Sequence, residues 1–286
     1  MNQLKAMTYE LRKNVVDMIV EGKTGHIGGD MSVLDILAVL YFEQMNISPE
    51  NQDDDERDRF VLSKGHSVEA LYAVLAAKGF FSVEQVIREF SKFGSAFIGH
   101  PNNKLPGIEM NSGSLGHGLP VSVGMALAGK MNKKSYRVYT VMGDGELAEG
   151  SVWEGVMAAR HYMLDNLCAV VDRNRLQISG NTETIMGHDD LHERFNSFGW
   201  YVIDVKDGND VDLLNAAFNE AKVIKEKPSV LIANTLKGCG STVMEGKENW
   251  HHKVPTAEEY KMIIQDFDER KEAALNESYT QSTGNL

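Results

Sequence analysis

An apolar run, Val138 to Met142, stops at Gly143-Asp144-Gly145, and a second, Leu167 to Val171, stops at Asp172 and leads into Arg173-Asn174-Arg175-Leu176. Between them Glu149 to Leu164 reads as a helix. Strand, helix, strand is a βαβ unit, whose right-handed crossover makes the strands parallel and brings their carboxyl ends to one edge. Asp144 and Asn174 then meet in space. One hard oxygen ligand from each, with a backbone carbonyl just beyond, suits Mg²⁺ or Ca²⁺ carrying a phosphorylated ligand. Glycines at 143 and 145 let backbone N–H groups approach an anion without interference from a Cβ. Asp144 alone could be an ordinary Asp-Gly turn; Asn174 at the end of the next strand favours a site.

Four histidines stand in glycine-containing loops: His26 in Gly25-His26-Ile27-Gly28-Gly29, His66 in Ser63-Lys64-Gly65-His66, His100 in Gly99-His100-Pro101, and His117 in Gly116-His117-Gly118. His251 and His252 follow Trp250. One such histidine is usually structural, but their recurrence suits diphosphate contacts and proton transfer near neutral pH. A zinc site is the rival reading. His188 and His192 have ligand-like spacing, yet no Cys-x₂-Cys accompanies them and Asp189-Asp190 lacks the Glu of a zinc protease helix, so the pair is expected on the surface.

The elements that must hold these groups are legible in outline. Leu4 to Val20 and Ser32 to Gln44 read as helices, with Ser32 as N-cap of the second. Arg59 to Leu62 is a short strand, Val68 to Ala77 a helix, and Ser82 to Phe90 a helix opened by a Ser82–Gln85 capping box. Gly94 to Gly118 is an ordered loop of the kind that carries function. A helix from Pro120 to Met131 precedes the two central strands. Tyr201 to Val205 and Ser229 to Asn234 are further parallel strands joined by a helix from Val211 to Lys225. Ala257 to Glu272 is a charged helix, and Asn276 to Leu286 a flexible tail.

The whole is expected to be one α/β domain, a mostly parallel sheet in a three-layer α/β/α arrangement, over residues 1–256, followed by the helix and tail of 257–286. At 286 residues and 42% hydrophobic content the core is ample for an enzyme. A net charge of −12 without a basic stripe argues against nucleic acid or an anionic membrane as partner. The longest uncharged stretch, Met110 to Gly129, is too rich in Gly, Asn and His to span a bilayer. Two cysteines, Cys168 and Cys239, are too few for a disulfide framework, and a reducing cytoplasm is expected.

From about His26 to about Pro255 these segments resemble the amino-terminal, diphosphate-binding domain of transketolases, which use thiamine diphosphate and a divalent metal. Gly143-Asp144-Gly145 with Asn174 is similar to the thiamine diphosphate fingerprint, and the set Ser63-Lys64-Gly65-His66, Gly99-His100-Pro101, Gly113-Ser114-Leu115-Gly116, Lys237-Gly238 and Trp250-His251 narrows it to transketolase. The resemblance implies that Asp144, Asn174 and the Leu176 carbonyl hold Mg²⁺ (or Ca²⁺ or Mn²⁺). It implies diphosphate contacts from His66 and Gly145, with Gly113 and Leu115 along the cofactor rings. His26, His100 and His251 would face the sugar and its reacting carbonyl, with Lys64 and Lys237 close by. Lys237, His251 and Glu149 also fall in the implied cofactor-binding set, and Glu149 and Glu154 match carboxylates at a subunit interface; pairing with a helix amino end accounts for those two acids equally well. The chain departs from the family at Ile27, where proline is common, at His117, where glutamine is, and at His252, where glycine is.

Transketolases of this type are usually more than twice as long, and about thirty residues after Pro255 are too few for another domain. The expectation is therefore one subunit of a split transketolase in an α₂β₂ assembly. A separate chain would supply the pyrimidine-binding and carboxyl-terminal domains and a glutamate for the aminopyrimidine. Sugars are the expected substrates, whether a pentose phosphate, an apiose-derived sugar or a sulfosugar. Deoxyxylulose-phosphate synthase and the alpha subunit of a 2-oxo acid dehydrogenase are alternatives disfavoured by Gly113 to Gly118 and Trp250-His251. A non-catalytic cofactor-binding subunit is disfavoured by the full set of histidines with Asp144 and Asn174.

Overall fold

The computed structural model describes residues 1–283, with side chains through residue 276. Helices α1 (Asn2–Gly22) and α2 (Ile27–Val39) open the chain, α2 running into a π-helical turn at Leu40–Gln44. Strand β1 (Arg59–Leu62) and helices α3 (Val68–Ala77) and α4 (Val83–Glu89) follow. A long loop then leads to α5 (Gly118–Met131), its interior pinned by the buried Phe97 and Leu105. The central unit is β2 (Val138–Gly143), a 3₁₀ turn at Gly145–Ala148, α6 (Gly150–His161) and β3 (Leu167–Asp172). A small ribbon of β4 (Leu176–Gln177) and β5 (Gly180–Asn181) carries the chain into α7 (Thr182–Met186) and α8 (Leu191–Ser197). The chain continues through β6 (Tyr201–Val205), α9 (Val211–Val223), β7 (Ser229–Ala233) and α10 (Ala257–Thr283).

Five strands form one parallel sheet in the order β1-β2-β3-β7-β6. Alternation along the strands sends successive side chains to opposite faces. Tyr139, Val141, Cys168, Val170 and Leu231 join the core beneath α1, α2, α3 and α9, whereas Val138, Met142, Ala169, Val171 and Ile232 join the core beneath α5, α6 and α8. Both faces are covered, which is why the strands read as unbroken apolar runs. Helix α10 packs on α1 through the buried Ile263 and Phe267, and Tyr260 donates to Asp17. No helix among the described residues is long and apolar enough to cross a membrane.

Several local expectations are corrected. Helix α2 starts at Ile27, so Ser32 is inside it, not its cap, and its buried hydroxyl donates to Gly29 O and Asp172 Oδ2. Ser82 does accept from Gln85 N at 3.1 Å, but the Gln85 amide reaches forward to Glu89, leaving half a capping box. The helix expected from Glu149 is preceded by the 3₁₀ turn and ends at His161. Helix α10 continues through the first part of the expected tail to Thr283, and residues 284–286 lie outside those described.

Candidate active site

The carboxyl ends of β1, β2, β3 and β7 lie side by side, because Leu62 pairs with Val141, Gly143 with Asp172, and Asp172 with Ala233. Ligand sites in open parallel sheets form beyond such ends. Here the following segments converge: Ser63 to His66 after β1, Asp144 after β2, Arg173 to Leu176 after β3 and Thr235 to Lys237 after β7.

Asp172 ties them together. It has no solvent exposure, and its Oδ2 accepts from Lys64 Nζ at 2.5 Å and from Ser32 Oγ at 2.7 Å, while Thr235 Oγ1 donates to its Oδ1. Lys64 also donates to Gly29 O. A buried charge of this kind needs its partner and its hydrogen bonds to be tolerated. The sequence offered a signal, an acid ending an apolar strand, but no way to see that a lysine more than a hundred residues earlier would meet it.

Asp144 is buried at the end of β2. Its Oδ1 accepts from Gly145 N at 3.0 Å and its Oδ2 from Arg175 N at 2.7 Å and Thr182 Oγ1 at 3.2 Å. Burial, then the neighbouring Asp172, raises its pKa, a setting in which a cation would favour the ionised form. Arg175 adopts φ 64°, a left-handed turn that swings the chain back past Asp144. Within that turn Asn174 Oδ1 accepts from Leu176 N, and Asn174 Nδ2 donates to Ser32 Oγ. The Leu176 carbonyl already faces a cation, accepting from Lys237 Nζ at 2.6 Å. A carboxylate, an amide oxygen and this carbonyl are an all-oxygen set, and they fit a hard divalent ion.

These groups line a cavity of about 180 Å³ together with Gly29, Lys64, His66, Leu115, Gly143, Gly145, Gln177, Ile178 and His251. Its walls fit an anionic ligand: a side chain at Gly29 would lie 2.8 Å from Ser67 Oγ and 3.5 Å from Lys64 Nζ, so glycine keeps the floor clear between the cationic and imidazole groups. Glu146, which no sequence pattern singled out, is the bracket of this wall. It is buried, and it accepts from Ser63 Oγ, from Gly116 N at 2.8 Å and from Gly143 N at 3.2 Å, locking three loops to one carboxylate. Burial raises its pKa against those donors.

At the mouth stand five imidazoles. The His26 ring lies 5.3 Å from that of His66, 6.4 Å from His100, 5.7 Å from His251 and 4.7 Å from His252, and His66 stacks on His251 at 5.7 Å. Burial, followed by the other imidazoles and by Lys64 and Lys237, pushes His26 down to about 4. Burial and Lys237 push His251 down to about 3, and burial lowers His66 and His100 as well. These four rings are therefore neutral bases at pH 7. Lys237, buried and near Lys64, is lowered to about 8, so it stays mostly protonated and its Nζ donates to His251 Nδ1 at 2.6 Å. His251 then carries its hydrogen on Nε2.

Three loops hold this mouth. Gly238 N donates to Gly28 O at 3.0 Å, and a Cβ on Gly28 would lie 2.5 Å from Trp250 O, so the His26, Lys237 and His251 segments are backbone to backbone. Gly113, at φ 143°, lies under His100, where a Cβ would come within 2.8 Å of its Cδ2. Gly113 thus supports the mouth and is not among the residues lining the cavity. His252 does join the cluster, whereas His117 is exposed and turned onto Leu115 O. Glu149 and Glu154 are exposed outside the cavity, Glu149 against Gly116. His188 is buried, contrary to the surface position expected, while His192 is half-buried and bound to Asp204; no cluster of three or more His, Cys, Asp or Glu side chains fit for a metal occurs among the described residues.

Comparison with known proteins agrees with this geometry. Residues 4–280 match the family described as transketolase, thiamine diphosphate binding domain. The chain is 47% identical to one of the subunits of the apulose-4-phosphate transketolase of Phocaeicola vulgatus, over 96% of its own length and 97% of the relative's. It is 40% identical to the 6-deoxy-6-sulfo-D-fructose transketolase subunit SqwG of a Clostridium species, over 90% and 94%. It is also 40% identical to human transketolase, but over only 42% of that protein. Among solved structures, a transketolase from Pichia stipitis superimposes with a TM-score of 0.85 at 29% identity, covering all of this chain and 46% of that one. The chain thus spans under half of the long transketolases and nearly the whole of the relatives named as single transketolase subunits. With its fold, its Asp144–Asn174 turn and its histidine-lined mouth, the chain belongs to the transketolase thiamine diphosphate-binding domain family.

Proposed function

We propose that this chain is the thiamine diphosphate- and Mg²⁺-binding subunit of a split transketolase. It acts in an α₂β₂ assembly with a separate chain that bears the pyrimidine-binding and carboxyl-terminal domains. The observation that carries this reading is coextension: the chain matches proteins named as single transketolase subunits over more than nine-tenths of both lengths, yet only 42% of human transketolase. A cavity of about 180 Å³ is smaller than the roughly 300–1,000 Å³ of complete ligand sites, as one wall of a shared site would be. The same reading puts the protein in a reducing cytoplasm, where its two free thiols need no partner.

Asp144, Asn174 and the Leu176 carbonyl hold the metal, and His66, Gly145 and the floor around Gly29 receive the diphosphate. When bound, thiamine diphosphate supplies the electron sink that breaking a ketose carbon–carbon bond requires. Around it the protein's own groups move protons. One of the neutral His26 and His100 rings takes the single proton of the ketose hydroxyl as the bond to the two-carbon ketol fragment breaks and later returns it to the acceptor's oxygen, the other ring orients the sugar by a hydrogen bond, and the His251 Nε2–H donates to a sugar oxygen. The buried surroundings of Lys64 and Lys237 exclude water from this exchange. The donor is a ketose of the phosphorylated or sulfonated kind named for the relatives, and the acceptor is an aldose.

Mixing tests this. Purified chain with thiamine diphosphate and Mg²⁺ should be inert toward ketose phosphates and gain ketol transfer when the complementary chain is added. Robust transfer by this chain alone would sink the split reading.

A further inference from the structure

Asp30 and Glu69 are fully buried carboxyl groups in the first turns of α2 and α3, and neither lines the cavity. Each satisfies one oxygen with a backbone amide: Ala70 N donates to Asp30 Oδ1 at 3.0 Å, and His26 N to Glu69 Oε1 at 3.3 Å. The other oxygens, Asp30 Oδ2 and Glu69 Oε2, are buried without a donor. Burial raises both pKa values, and the charge of Asp30 raises Glu69 further. The charged and titratable groups nearby give no free counter-ion. Lys64 is committed to Asp172 and Gly29 O, and His26 and His66 are neutral.

Asp30 is tied to Ala70 N, the residue after Glu69, and Glu69 to His26 N, four residues before Asp30, and two carboxyl groups so buried without a counter-ion cannot both be charged. We propose that Asp30 and Glu69 share one proton as an acid–carboxylate pair, and that this pair is the positioning device for His26. The Glu69 carboxylate holds the His26 N–H directly, whereas the Asp30 carboxyl acts through α3, anchoring Ala70 N next to Glu69, and Asp30 meets the His26 carbonyl only through its backbone N–H. That carbonyl accepts from Asp30 N at 3.2 Å and Gly29 N at 3.0 Å. Gly25, just before, leaves room for the contact, since a Cβ there would lie 2.6 Å from Glu69 Oε1. Asp30 and Glu69 are positioning residues that touch neither sugar nor cofactor.

The part of this inference that concerns catalysis rests on the ketol-transfer reading, so two readouts separate the claims. Infrared difference spectroscopy of the isolated chain at pH 7 should show the carbonyl stretch of one neutral carboxylic acid, lost in both Asp30→Asn and Glu69→Gln. Each of these variants replaces the shared proton by an amide N–H and should keep the fold. Absence of the band from the unsubstituted chain, or its survival in either variant, overturns the pair whatever the enzyme does. In the reconstituted enzyme Glu69→Ala should lower kcat/KM about tenfold or more by freeing the His26 amide, with Glu69→Gln restoring it to within about threefold. Thiamine diphosphate affinity by calorimetry should be unchanged in both. Equal loss in Ala and Gln, or lost cofactor affinity, overturns the positioning role. If the Ala variant does not fold, the Gln variant decides by its kcat/KM. A band present in a chain that shows no ketol transfer with its partner refutes the proposed reaction and leaves the pair standing.

Discussion

Lys64 Nζ and Asp172 Oδ2 lie 2.5 Å apart with both side chains buried, and they join the chain leaving β1 to the end of β3 across the intervening β2. Because Ser32 and Thr235 share the same carboxylate, four segments of the molecule meet at one buried charge.

Replacing Lys64 by Met should leave that charge uncompensated and destabilise the chain by about 3–5 kcal/mol. Guanidinium denaturation gives the number. A loss below about 1 kcal/mol, the worth of an exposed pair, would mean that Asp172 is satisfied without the lysine.

Asp144→Ala removes the carboxylate proposed to hold the metal and the acceptor for Arg175 N and Thr182 Oγ1. Metal-dependent thiamine diphosphate binding should weaken by at least about 100-fold. Titration calorimetry with and without Mg²⁺ measures this, and unchanged affinity would refute the metal assignment.

Gly113→Ala puts a methyl 2.8 Å from His100 Cδ2 at a backbone angle, φ 143°, that favours glycine. Strain of about 1–3 kcal/mol is expected. The His100 ring should move and ketol transfer by the reconstituted enzyme should fall, while diphosphate affinity, set by other residues, holds.

Ring protons of His26 and His251 should not titrate by NMR between about pH 5.5 and 8, whereas unperturbed histidines shift near 6.5. The stability sign follows. His26 sits at about 4 when folded and nearer 6.5 unfolded, so its stabilising contribution is whole above about 6.5 and is lost as pH falls toward 4. The Asp30–Glu69 pair works oppositely: burial holds its proton well above the ordinary carboxylate range, so its stabilising contribution is whole below about 3.8 and is lost as pH rises. His26→Asn should therefore flatten the acid side of the stability profile; an unchanged acid limb would contradict the neutral ring.

The layers were legible because parallel strands covered on both faces leave runs such as Val138–Met142 and Leu167–Val171, and glycine-bracketed Asp144 with Asn174 marked the strand ends. Loop histidines could be named singly, but their gathering within 4.7–6.4 Å of His26 depends on tertiary packing of loops far apart in sequence. Ser32 misled because its hydroxyl suits a cap and the true helix start, Ile27, is apolar on an Ile-Gly-Gly opening with no cap side chain. Glu146 and Asp172 escaped because a buried carboxylate is defined by its donors, and Ser63, Gly116 and Lys64 lie at least thirty residues away in sequence.

The pairing of Gly143 with Asp172 as the last rung between β2 and β3 has a wider bearing. Spacing at the catalytic edge is counted in whole residues along hydrogen-bonded ladders, so deleting one residue inside β2 would invert its side chains and retract Asp144 by one step at once. Diversification of such a scaffold must then proceed by substitution in the segments that follow the strands, while the ladder beneath keeps time.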